Sequence, residues 1–78
     1  MPEIVPIVRR KLSQSVLEVL LERINAGEYP PGSLLPPERQ LMEMFGVGRP
    51  AIREAMQSLE TIGLIEIRHG GRARVTEP

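Results

Sequence analysis

Residues 38–62 read ERQLMEMFGVGRPAIREAMQSLETI, and the interpretation of this stretch decides the fold. Over 38–45 the apolar residues Leu41, Met42 and Phe45 recur at three- and four-residue spacing, the period of one helix face. Gly46-Val47-Gly48 is long enough only for a tight turn. Over 49–62 the same period returns in Ile52, Ala55, Met56, Leu59 and Ile62, and Gly63 can end that helix in the left-handed conformation. Two helices joined by a short glycine-containing turn form a helix-turn-helix unit.

Working outward, Pro36 and Pro37 pre-set the backbone for the first helix of the pair. Further upstream, Val16, Leu20 and Ile24 with Leu17 and Leu21 form the stripe of an amphipathic helix, capped by Ser13 and stopped at Gly27. Glu18, Glu22 and Arg23 fall on its other face. Tyr29-Pro30-Pro31-Gly32 is a turn, and Leu34-Leu35 suits a very short strand. Met1 to Arg10 has two prolines and no period, and reads as an extended arm. Downstream, residues 64–67 are apolar and β-branched, His69-Gly70-Gly71 is a hairpin tip, and residues 72–75 form the return strand. The expected fold is mainly α with a small β-hairpin (α+β): three helices plus a two-stranded wing. The expected organisation is a flexible arm over 1–11, one domain over 12–76 and the start of a linker at 77–78.

A chain of 78 residues holds one small domain, and 41% hydrophobic with 26% charged residues is a globular composition. The absence of cysteine excludes a disulfide scaffold and a cysteine-based zinc site, and fits a reducing compartment. No apolar run approaches the ~20 residues of a membrane span, and the start of the chain lacks a signal-peptide pattern. These features give a cytoplasmic expectation. Formal net charge is zero, which taken alone disfavours a nucleic-acid binder. Distribution matters more than the sum. Every cation except Lys11 is arginine, the forked donor suited to guanine edges and phosphates. Arg39, Arg49, Arg53, Arg68, Arg72 and Arg74 lie near helix starts or the hairpin, so the neutral total can conceal a basic face.

Arg49 and Arg53 are four apart, so both project from one side of a helix near its N-terminus, and Gln57 extends the row. Backbone donors at the same N-terminus favour phosphate. The second helix of a DNA-binding helix-turn-helix enters the major groove with its N-terminal residues on base edges. A glycine-rich hairpin tip can enter a minor groove while flanking arginines reach phosphates. Arginines on a solvated helix face and an exposed turn are also ordinary surface features; their succession in one chain favours the DNA reading. An enzyme is not expected. His69 is the sole histidine, without the ligands of a metal site or the nucleophile and orienting carboxylate of a catalytic one. Ser13, Ser15, Ser33 and Ser58 occupy no elbow motif, and Gly70-Gly71 belongs to no phosphate-binding fingerprint. Neither metal nor cofactor is expected. Met42, Met44 and Met56 read as core filler.

The order of motifs resembles a known family. A helix is followed by Pro31-Gly32, Leu35-Pro36-x-Glu38-Arg39, Val47-x-Arg49-Pro50-x-x-Arg53-Glu54-Ala55, Leu59, Gly63-Leu64-Ile65 and a Gly-rich hairpin. Over about residues 12–75 this resembles the N-terminal winged helix-turn-helix domain of GntR bacterial regulators, within them the FadR subfamily. The resemblance implies sequence-specific binding to double-stranded operator DNA, with recognition helix 49–62 in the major groove and wing 64–75 at the minor groove. By the same resemblance Arg39 reaches DNA, Arg49 and Arg53 contact bases and phosphates, Gly48, Pro50 and Ala51 lie against the DNA backbone, and His69 and Gly70 approach the minor groove. Arg72 joins them from the wing. Position 48 is often serine or threonine in the family, and position 37 serine or alanine; Gly48 and Pro37 leave both helices without a hydroxyl cap. The family further implies a homodimeric repressor on a palindromic operator, with a small-molecule effector on a C-terminal domain beyond Pro78. The alternative is a winged-helix protein-interaction module using the apolar, acidic first helix.

Overall fold

The computed structural model describes residues 4–77. Its elements run α1 (Ile4–Asn25), α2 (Glu38–Phe45), α3 (Arg49–Ile62), β1 (Ile65–Ile67), a 3-10 turn (His69–Gly71) and β2 (Ala73–Val75). Three helices and a two-stranded antiparallel sheet match the expected winged architecture, and both helices of the central pair have the expected bounds.

Leu20, Leu35, Leu41, Ile52, Leu59 and Ile65 are the large side chains at the centre of the core, joined by Val16 from α1 and Ala73 and Val75 from β2. Each element thus buries one face into a common interior, as the helical and alternating periods require. α1 packs on α3, and its stripe is as expected: Val16 and Leu20 are buried, while Leu17, Leu21 and Ile24 are half-buried against them. The helix ends as Gly27 (φ 82) turns left-handed and Glu28 N–H donates to the Arg23 carbonyl.

Three expectations are corrected. α1 begins at Ile4, so the segment read as an extended arm is helical from that residue, and Ser13 lies inside the helix instead of capping it. Pro6 sits in the first turn, where no amide has an intrahelical acceptor, so it does not oppose helix. Residues 1–3 of the arm and Pro78 of the linker lie outside the described residues. Met44 and Ile62, expected in the core, are 43% and 58% exposed: Met44 lies off the Leu41–Met42–Phe45 face of α2, and Ile62 is the last residue of α3.

In the hairpin Ile65 pairs with Val75, Glu66 with Arg74 and Ile67 with Ala73. The expected short strand at Leu34-Leu35 is a single bridge, Leu34 to Arg74, backed by Leu35 N–H to the Ala73 carbonyl (2.9 Å) and Val75 N–H to the Ser33 carbonyl (2.8 Å). Those bonds fasten the loop before α2 to the wing. Glu60, in the last turns of α3, accepts from Ile67 N–H at 3.2 Å and fastens the wing to that helix as well.

Candidate nucleic-acid interface

The turn Gly46-Val47-Gly48 sets α3 against α2. Gly46 closes α2 in the left-handed conformation (φ 64), its N–H returning to the Met42 carbonyl. Gly48 is the extended N-cap of α3 and has no side chain to cap it. Ile52 N–H donates to the Gly48 carbonyl at 3.3 Å, so the amides before it lie at the open end of the helix. Pro50, in the first turn, contributes no N–H.

The buried face of α3 carries Ala51, Ile52, Ala55, Met56 and Leu59. Arg49, Arg53 and Gln57 are exposed and form the row that four-residue spacing predicts. Arg49 and Arg53 line one groove with Arg39 of α2, Arg72 of the wing, Glu38 and Gly70. Arg49 and Arg53 of that row and the wing turn therefore face the same opening, while Gln57 lies outside its lining. His69 is exposed beside it, and Gly70 takes the turn at φ 79.

Ala51 is 2% exposed and shares the inward face with Ile52 and Ala55, so its methyl group packs into the core while its backbone amide lies at the open helix end. The wing arginines also differ from one another. Arg74 Nη1 donates to the Gly32 carbonyl (2.6 Å) and Arg68 Nη2 pairs with Glu66 (3.3 Å). Arg72 Nη2 donates to the Leu35 carbonyl (3.2 Å), anchoring the wing to the loop before α2 while the residue remains exposed at the groove.

Glu38, which sequence reasoning left without a role, sits at the centre. Its carboxylate holds Arg49 Nε at 3.0 Å through one oxygen and Arg53 Nε at 2.9 Å through the other. Glu38 is the first residue of α2, where a carboxylate is also favoured by the helix dipole. The side chain is 28% exposed against 57% and 66% for the two arginines, so the acid lies beneath them. Its place in the Leu35-Pro36-x-Glu38-Arg39 motif was the available signal, because a contact between residues 11 and 15 apart has no local period.

Among the described residues, no cluster of three or more histidine, cysteine, aspartate or glutamate side chains is placed to hold a metal ion. No described helix is long and apolar enough to cross a membrane.

Residues 12–75 match the family profile of bacterial regulatory proteins, gntR family. The chain is 49% identical over 73 residues to the HTH-type transcriptional repressor NanR of Klebsiella aerogenes, covering 94% of this chain and 28% of that protein. It thus spans little more than a quarter of such relatives. Among solved structures, the DNA-binding domain of AraR in complex with operator ORR3 superposes with a TM-score of 0.80 at 35% identity, covering 83% of this chain and 78% of that one. YtrA from Sulfolobus acidocaldarius, a GntR-family transcription factor, gives a TM-score of 0.74 at 29% identity, covering 85% and 56%.

Proposed function

The chain belongs to the GntR family of bacterial regulatory proteins, and from that premise we propose that it is the DNA-reading domain of a transcriptional repressor. It binds double-stranded operator DNA in a sequence-specific manner. α3 lies in the major groove, with Arg49 and Arg53 on base edges, while Arg39 and the open amides at the start of α3 hold phosphates. Gly48 and Pro50 pass close to the DNA backbone, and His69 and Gly70 enter the minor groove with Arg72 behind them.

One observation carries this reading: four arginines from α2, α3 and the wing converge on a single groove in a chain of zero net charge. The AraR domain solved with its operator supports it, since that domain shares the fold and about a third of the sequence. The repressor role rests on the NanR relatives. By the same analogy the longer protein is a cytoplasmic homodimer of the FadR subfamily, with a palindromic operator and an effector site on a domain that follows this one. A family of regulatory proteins and a groove lined by arginines both speak against an enzyme.

The test is Arg49→Ala. A duplex enriched by the wild-type chain from a randomised pool is bound by both proteins. The expected loss is about 1–3 kcal/mol, with preference relaxed at one base pair. A variant retaining full affinity and unchanged base preference overturns the assignment.

A further inference from the structure

The bridge from Glu38 to the two arginines has a consequence for how the groove chooses between bases and phosphates. Both ion pairs run through Nε, one to each carboxylate oxygen. Contact at Nε leaves the terminal Nη1–Nη2 pair of each guanidinium unengaged, and a paired donor fork is the geometry that spans O6 and N7 of guanine. One carboxylate therefore restrains two forks one helical turn apart, by an ion pair to Arg49 and a hydrogen-bonded ion pair to Arg53, and reduces their freedom before any duplex arrives. It also subtracts a unit of charge from a groove lined by four arginines.

We propose that Glu38 is a positioning residue that sets sequence preference, by fixing the forks of Arg49 and Arg53 for base edges while making the groove a poorer trap for phosphate. This rests on the DNA-binding reading above. A base edge is a neutral pair of acceptors and rewards a rigid fork. A phosphate is an anion that accepts from many directions and rewards uncompensated charge. The carboxylate tilts the balance toward the first, raising discrimination through a repulsive element as well as an attractive one.

A merely structural role is available to Glu38, since a negative charge in the first turn stabilises any helix. Two variants separate the roles. Glu38→Gln keeps the length and removes the charge. Glu38→Asp keeps the charge at the helix start but is shorter by one bond, about 1.5 Å, which draws its carboxylate back from both Nε atoms. The probes are the duplex enriched by the wild-type chain and a random-sequence duplex of equal length.

Glu38→Gln is expected to bind the random duplex about threefold more tightly, to lose about tenfold in the enriched-to-random ratio, and to show a steeper salt dependence by about one counterion. Glu38→Asp loses the ratio without gaining random affinity. Without DNA, exchange with water of the Arg53 Nε–H proton, which is hydrogen-bonded to Glu38, is slow in the wild type and fast in both variants when followed by NMR. Melting curves establish that each variant is folded. A wild type that enriches no duplex overturns the DNA-binding reading and this inference with it. A wild type that enriches one, with both folded variants keeping its ratio, overturns this inference alone.

Discussion

Gly63 shows how much one residue can be asked to do. It ends α3 at φ 92, its N–H returning to the Glu60 carbonyl, and Leu64 N–H then returns to Leu59. A Cβ added there would meet nothing within 4 Å, so any penalty of substitution is backbone strain alone. Gly63→Ala is expected to lower stability by about 1 kcal/mol in urea denaturation, and Gly63→Asn by less, because asparagine tolerates this region better. An alanine variant as stable as wild type would show that the turn relaxes to negative φ. At this scale the sequence was a good guide to conformation and a poor one to contacts. Gly63 and Gly27 were legible as helix stops. The orientation of Ala51 into the core was hidden by its resemblance-based assignment to the DNA side, and the twin ion pairs of Glu38 were hidden by sequence distance.

Among the elements, α3 is the one whose geometry matters most, and it begins without a side-chain cap. Gly48 has φ −82 and ψ 170, the extended conformation that capping residues prefer, and a Cβ there would meet only Pro50 Cδ at 3.6 Å, an ordinary contact. A serine hydroxyl at this position has the Ala51 amide as its natural donor, because Pro50 has none. Gly48→Ser is therefore expected to stabilise the domain by about 0.5–1 kcal/mol, through the cap and through the reduced freedom of the unfolded chain. A raised melting temperature is the check; an unchanged or lowered one means the Gly48 backbone is held in a way the side chain disturbs. The element bounds of α2 and α3 were legible because each carries a clear period between glycine or proline punctuation. The start of α1 was not, because prolines within the first turn of a helix look identical in sequence to prolines in an extended arm.

For the whole molecule the decisive quantity is the placement of charge, not its sum. α1 covers a face of α3 other than its arginine row, and α1 presents Glu18 and Glu22 to solvent. The neutral total thus combines an arginine-lined groove with acids elsewhere on the surface. Binding to duplex is expected to weaken on the order of a hundredfold between 50 and 200 mM salt for about four phosphate contacts. Flat salt dependence, measured by fluorescence anisotropy, would instead favour the protein-interaction alternative, in which apolar contact dominates.

By itself the amino-acid order determined the central helix pair, the hairpin and most of the inward faces. Those outcomes depend on periods and turn chemistry acting over a few residues, and local interactions can be read along a line. Only the tertiary structure decided that Arg39, Arg49, Arg53 and Arg72 open on one groove and that Glu38 lies beneath two of them. Their meeting depends on the angle the Gly46–Gly48 turn imposes and on the loop-to-wing hydrogen bonds that hold Arg72 in place, and such convergence leaves no periodic trace in the chain.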